Sequence, residues 1–393
     1  MPLYVGVNGV ARKAKKLYVG VDDVARKIKR AYVGVGGVAR LFFTATLNQV
    51  VYSGQIEDLS VGRIEMGVAS MLDYALFIGG KIERPSPSVT AAVDAYNMTL
   101  TRSTAPSLAV PMTGVSAVGA EDCVFLAGGK GLNIPPLYDS VSVYNAALTM
   151  TSASPLSVAR YNSCAGKAGE YVFFAGGSLT GINETDAVDA YNIHTLTKSS
   201  VSVLPTAITD IAVGNVDGHA IFAGGGYFHN SGIPSCSSMC VAYSETLGRR
   251  ILDDLSAKKQ HVCALSFPEQ AMFVCGFEWI STGSSSSSRP SDYSASDVYS
   301  NNLTKTIGPG TSANAGPQGL ATNNSTVGII MTGINSFDPF SALFVRASTI
   351  SIPGGLPFNY FDAAINIDDY FLFASDAYAS AEYSSRVDYF SIE

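Results

Sequence analysis

Glu170-Tyr171-Val172-Phe173-Phe174-Ala175-Gly176-Gly177 is an apolar strand ended by two glycines, and it returns along the chain. Cys123-Val124-Phe125-Leu126-Ala127-Gly128-Gly129 is the same phrase 48 residues earlier. Tyr74-Ala75-Leu76-Phe77-Ile78-Gly79-Gly80 stands 49 residues before that, and His219-Ala220-Ile221-Phe222-Ala223-Gly224-Gly225 follows 48 residues after the first. Weaker copies end at Gly276, Gly333 and Asp376, giving seven. A period near 50 residues with short strands and glycine punctuation predicts a β-propeller.

Two further markers keep the same register. Asp58-Leu59-Ser60-Val61-Gly62-Arg63, Pro155-Leu156-Ser157-Val158-Ala159-Arg160 and Asp254-Leu255-Ser256-Ala257-Lys258-Lys259 each end 17 residues before the second glycine. After the glycines come Asp94-Ala95-Tyr96-Asn97, Val143-Tyr144-Asn145, Asp189-Ala190-Tyr191-Asn192, Ala242-Tyr243-Ser244, Val298-Tyr299-Ser300 and Asp388-Tyr389-Phe390. The expected fold is all-β: a seven-bladed propeller over residues 44–393. Strand 44–52 should complete the last blade and close the ring, because that blade ends on a third strand, Arg386–Ile392.

These markers resemble the kelch repeat. The leucine-to-basic opening, the double glycine and the third-strand tyrosine match it. Kelch blades usually carry a tryptophan near the outer strand, and this chain has one Trp in total. Kelch propellers host many functions, so the resemblance implies a fold and no activity.

Residues 3–43 form a second, shorter repeat. Leu3-Tyr4-Val5-Gly6-Val7-Asn8-Gly9-Val10-Ala11-Arg12-Lys13 returns after 14 residues at Leu17–Lys27, and again as Ala31–Arg40. Asn8-Gly9 and Gly36-Gly37 are two-residue hairpin turns. They predict Val7 facing Val10 and Tyr4 facing Lys13, in a small antiparallel meander. Strand followed by short helix is the alternative, since Asp22-Asp23-Val24-Ala25-Arg26 also begins like a helix. Residues 1–43 carry nine Lys/Arg against two acids, net +7, and the remainder 16 against 30, net −14. A basic head on an acidic body implies two pieces with different contacts.

The head resembles repeats of virion and tail-associated proteins of phages and prophages infecting Gram-positive bacteria, on the phrase Tyr-Val-Gly-Val-x-x-Val-Ala-Arg. The resemblance implies a basic attachment segment that binds other virion or tail proteins through Tyr4, Arg12, Tyr18, Arg26, Tyr32 and Arg40, in a particle that allows a homo-oligomer. Nucleic acid is the weaker partner, because the charges recur at the repeat period as on a solvated strand face. No membrane contact is expected, since the apolar runs are too short to span one. Met1-Pro2-Leu3-Tyr4 lacks the layout of a secretory signal. The expected place is therefore the virion, after synthesis in the host cytoplasm.

The connections between second and third strands, Lys81–Thr90, Lys130–Ser140, Ser178–Asp186, Gly226–Met239 and Phe277–Ser296, emerge on one face by the alternation of antiparallel strands. The longest holds Ser284–Ser288, expected as a mobile tract. This face offers Tyr138, Tyr227, Phe228, His229, Trp279 and Tyr293, with Arg84 and Arg289, for binding a bacterial surface glycan or protein.

No enzyme, cofactor or metal is expected. The four histidines, His194, His219, His229 and His261, lack metal spacing. Asp210, Asp217 and Asp362 are carboxylates that no spacing brings together, as glycoside cleavage requires. Cys236 and Cys240 lack neighbouring ligands, and Cys263 and Cys275 stand on adjacent strands where they could meet. The expected function is a phage or tail-like structural protein that presents its propeller to the host surface. The alternatives are a non-receptor decorating protein of the virion and a glycan-cleaving enzyme.

Overall fold

The computed structural model describes the strands within residues 4–44 and residues 50–310 apart from 84, 181–182, 229–233, 282–285 and 291–294; beyond 310 it describes 321–323, 327–333, 336–341, 350–351, 360–367, 370–376 and 385–392. Every regular element described is a β-strand. Contacts divide the chain into two units, residues 1–49 with 392–393, and residues 50–391.

In the head, three hairpins form: Tyr4–Val7 with Val10–Lys13, Leu17–Val21 with Val24–Ile28, and Arg30–Val35 with Val38–Thr44. Tyr4 lies opposite Lys13 and Val7 opposite Val10, the register the turns predict. These are strands, not strand–helix units. They are also not one meander. Each hairpin is its own two-stranded sheet among the described residues. Arg12-Lys13 and Arg26-Lys27 lie along their edges, and charged edges discourage a further strand.

In residues 50–391 the strands gather into four-stranded antiparallel sheets. Blades one to five have first strands Gly67–Met71, Ser116–Ala120, Cys164–Ala168, Ala212–Val216 and Cys263–Phe267. The closing blade combines Tyr360–Ile367, Tyr370–Asp376 and Val387–Ile392 with Val50–Ile56 as its fourth strand. Six blades thus have side chains described, one fewer than the seven expected. A further four-stranded sheet, starting at Ala321–Asn323 and ending at Ile350–Ser351, is described in backbone alone. First strands pack against neighbouring first strands around a closed circle, with this sheet between blade five and the closing blade. The architecture is a β-propeller.

The closing strand is Val50–Ile56, not 44–52, because residues 38–44 are taken by the third head hairpin. The Tyr52 hydroxyl donates to Asp388 Oδ1 at 2.9 Å, and Ser53 Oγ meets Ser391 Oγ at 2.6 Å. Both ends of the propeller unit are therefore tied into one sheet.

The sequence markers have separate jobs. Leu59, Leu156 and Leu255 enter the core at 4% exposure each. The third-strand tyrosines are buried and reach back: Tyr96 donates to Glu57 O at 2.7 Å, Tyr243 to Ser202 O at 2.8 Å and Tyr299 to Asp253 O at 2.6 Å. Between them lies a buried ion pair. Arg63 Nη1 meets Asp94 Oδ2 at 2.9 Å, with both side chains fully buried. Arg160 Nη2 meets Asp189 at 2.9 Å, and Lys259 Nζ meets Asp297 at 3.4 Å. The remaining Arg63 donors go to Val61, Phe77 and Gly79 carbonyls. Ser60, Ser157 and Ser256 donate from N–H and hydroxyl to the same three carboxylates.

Blades two and four lack this set, and they lack all of it. Met112 and Ile208 replace the cation, Ser142 and Val241 the aspartate, and Ala109 and Pro205 the serine. A buried ion pair missing one partner leaves an uncompensated charge, whereas replacing both with apolar groups is tolerated. Sparing or losing the whole set is what that rule demands.

The double glycine joins blades. Gly129 N–H donates to Arg160 O of the next blade at 2.9 Å, and Gly80, Gly177 and Gly225 do the same to Met112, Ile208 and Lys259. Gly128 has φ +69°, and a Cβ there would stand 2.3 Å from Arg160 O. No side chain fits that gap.

Arg160→Met alone should destabilise the propeller by about 3–5 kcal/mol, because Asp189 is left buried and charged. Adding Asp189→Val, which copies blade four, should restore most of the loss. Urea midpoints of the two variants and the double variant check this. A second expectation concerns acid. Burial raises the Asp297 carboxyl, but Ser256, Lys305 and Lys259 outweigh it and the net shift is downward. A lowered folded pKa gives stability that is present above the unfolded aspartate value of about 3.9 and lost as pH falls through the folded one. The stability gap between wild type and Asp297→Asn should therefore narrow as the pH is taken below about 4, as read by melts across a pH series.

Candidate functional site

Two features share the face where first strands begin and second strands end. One is a crown of hairpins. Connections expected as loops fold further, into Lys81–Ile82 with Ser88–Val89, Ser178–Thr180 with Asn183–Glu184, Gly226–Phe228 with Pro234–Cys236, and Phe277–Ser281 with Ser286–Pro290. The last takes up most of the serine tract expected as mobile. The Asn183–Glu184 strand packs beside Gly226–Phe228, and Pro234–Cys236 beside Phe277–Ser281. Blades three, four and five thus carry one continuous raised rim.

The other feature is the inner mouth. Two residues after each basic or apolar anchor the backbone turns left-handed, at Glu65 (φ 52°), Gly114 (64°), Asn162 (51°), Asp210 (53°) and His261 (52°). This bend leads the chain from the anchor into the first strand. Only one of the five is glycine, although L side chains disfavour this geometry. The other four put a polar side chain at the mouth, one per blade. Left-handed residues that are not glycine cluster where function repays the strain.

The groups at the mouth feel one another. Lys130 Nζ lies 4.3 Å over the Tyr161 ring. Burial raises the Tyr161 hydroxyl above its ordinary value; a hydrogen bond with Ser178 opposes this, and Asp210, Glu65 and Glu184 add to it. His261 Nε2 lies 3.8 Å from Asp210 Oδ2, and Thr113 Oγ1 donates to Glu65 Oε2 at 3.1 Å. Side chains from five blades therefore meet around the opening.

The residues expected from sequence fare unevenly. Tyr227 is half-buried and lines a 300 Å³ cavity with Pro205, Met239, Ile251, Asp254 and Lys258. The Ser238 hydroxyl donates to Asp254 Oδ2 at 2.9 Å on its rim. Tyr138 is half-buried and packs onto the core between blades one and two. Trp279 pairs in backbone with Ser288, Arg289 with Glu278, and Phe228 with Pro234, all in the crown; only backbone is described for these three. Arg84, His229 and Tyr293 lie outside the described residues. So do the side chains of Tyr4, Arg12, Tyr18, Arg26, Tyr32 and Arg40, whose backbones lie in the head hairpins. Asp217 is at the opposite end of the first strand from Asp210, in a turn where its N–H donates to Pro268 O. Among the described residues no three His, Cys, Asp or Glu side chains form a metal cluster.

Glu65, Tyr161 and Asn162 were not picked out by sequence, and Asp210 and His261 were weighed there only as an isolated carboxylate and a histidine without metal spacing. Their side chains share no chemistry. The signal that finds them is their fixed place, two residues beyond the anchor, or one in the case of Tyr161.

No known protein family is matched by the sequence, and no curated protein is similar to it. A solved structure of YjhT superposes with a TM-score of 0.50 at 10% identity, over 85% of this chain and 95% of that one. The class is therefore a β-propeller. At that identity the likeness carries the fold alone.

His261→Gly should hold the stability of the wild type or raise it by up to about 1 kcal/mol, because glycine relieves the left-handed strain and the 3.8 Å, partly solvated contact with Asp210 contributes little. Urea denaturation measures it. A loss above about 1 kcal/mol would mark His261 as a packing residue.

Proposed function

We propose that this chain is a structural protein of a phage or phage-tail-like particle, fixed by its basic head and presenting its propeller to a bacterial surface, where the crowned face binds a glycan. The proposed ring has seven kelch-type blades. The four-stranded sheet between blade five and the closing blade supports that count, and the leucine-to-basic, double-glycine and tyrosine markers support that type. The three-repeat head and the opposed charges of head and body support the attachment role.

The observation that carries the binding reading is the mouth. Glu65, Asn162, Asp210 and His261 hold strained backbone angles that four-stranded packing does not need, since Gly114 serves the same turn in blade two. Polar side chains at such places, with a raised rim on blades three to five, suit the hydroxyls of a sugar. The same mouth favours one second reading. It carries the carboxylates Glu65 and Asp210 at the same turn position of their blades, and glycan cleavage needs a pair of carboxylates, so a glycan-cleaving centre is the competing account.

Binding of the labelled full-length protein to Gram-positive cells and to their purified wall polymers tests both. Saturable binding, weakened about tenfold or more by Tyr227→Ala or by His261→Gly, is the expected result. Absence of binding to every strain that the parent particle infects would overturn the receptor role in favour of virion decoration. Release of new reducing ends from the polymer, lost in Asp210→Asn, would establish cleavage instead.

A further inference from the structure

Blade five breaks the repeat at one place. In blades one to four the residue that ends the second strand and turns left-handed is glycine: Gly79, Gly128, Gly176 and Gly224, with φ between 58° and 70°. In blade five it is Cys275, with φ 63°. A left-handed cysteine is disfavoured, and glycine demonstrably serves the turn. The thiol needs its own explanation.

Its surroundings supply one. Cys263 begins the first strand of the same blade and pairs in register with Val274, the residue before Cys275. Regular strand geometry would put Cys275 on the other face of the sheet from Cys263 and Val274. The left-handed turn breaks that alternation. Both thiols join one apolar cluster with Leu265, Phe267, Met272, Val274 and Val298. They are buried at 2% and 1% exposure. The two side chains are hydrogen-bonded to each other, and that bond together with burial holds the Cys263 thiol well above its ordinary value. Cys123, by contrast, spends its thiol on the Ala120 carbonyl.

We propose that Cys263 and Cys275 are a covalent modification site, at which a soluble disulfide converts the two thiols into an intrachain disulfide stapling the first strand of blade five to the end of the second. The step is thiol–disulfide exchange. One thiol gives up its proton and attacks a sulfur of the oxidant, releasing one reduced thiol. The second cysteine then attacks the mixed disulfide and releases the other. Two cysteine thiols are oxidised by two electrons, and one oxidant disulfide is reduced to two thiols. Both cysteines stand at strand ends, where local opening admits the oxidant. A high thiol pKa makes exchange slow at neutral pH and faster in mild base.

The test uses the full chain held for a day in oxidised glutathione at about pH 8 and, in parallel, in a reductant. Each sample is denatured, alkylated and digested for mass spectrometry. The reduced protein should take up six alkyl groups, one per cysteine. The oxidised protein should take up four and yield a peptide linking residues 263 and 275. Six alkyl groups after oxidation would overturn the proposal, as would a link between any other pair or glutathione left on a single cysteine. Cys275→Gly restores the residue of blades one to four and should fold. Its five remaining thiols should all stay alkylatable after oxidation, and loss of two would also overturn the assignment.

Discussion

Asp94, Asp189 and Asp297 each lie on a third strand with one buried cation from the segment leading into the blade and a second arriving from the fourth strand. Arg102 reaches Asp94 at 3.1 Å, Lys198 reaches Asp189 at 3.7 Å and Lys305 reaches Asp297 at 2.9 Å. A carboxylate out of water is tolerated only when charge and hydrogen bonds surround it. Here the serine amide and hydroxyl complete the set. The segment leading into the blade, the second-strand carbonyls and the third strand are locked together at one point. Their geometry then sets where the double glycine must lie, and through it where the next blade begins.

The two kinds of anchor around the ring both satisfy this constraint. Blades one, three and five use ions; blades two and four use methionine or isoleucine over serine or valine. Both solutions keep the backbone path, because Gly129, Gly177 and Gly225 bond to the next anchor's carbonyl whatever its side chain. This backbone bond passes the register from blade to blade whichever anchor is used. The anchor side chains are free to differ, provided each set is complete.

That division explains what could be read from sequence. Ala-Gly-Gly, Leu-Ser-x-x-Arg and the tyrosine were legible because each reflects a contact that recurs with the same chemistry. The hairpin register of Val7 and Val10 was legible because Asn-Gly fixes its turn. The mouth was not, because Glu65, Asn162, Asp210 and His261 share a backbone angle and no side-chain type. The crown was hidden too. Strands as short as Lys81–Ile82 or Asn183–Glu184 leave no alternation to detect. The closing strand was placed six residues early, since Ala45-Thr46-Leu47 runs into Val50-Val51-Tyr52 without a glycine or proline to mark where the strand begins.

Closure of the last blade by Val50–Ile56 sets a timetable on the ribosome. Blade one is complete by residue 104, yet Leu76's neighbours Ala75 and Phe77, with Tyr96, pack in one cluster with Ile365, Leu372 and Val387. These surfaces stay bare until some 280 further residues have emerged. An early blade therefore waits as an open, apolar-faced sheet, the kind of surface that invites chaperones or wrong partners. Release of residues 387–392 ends that wait in a single step.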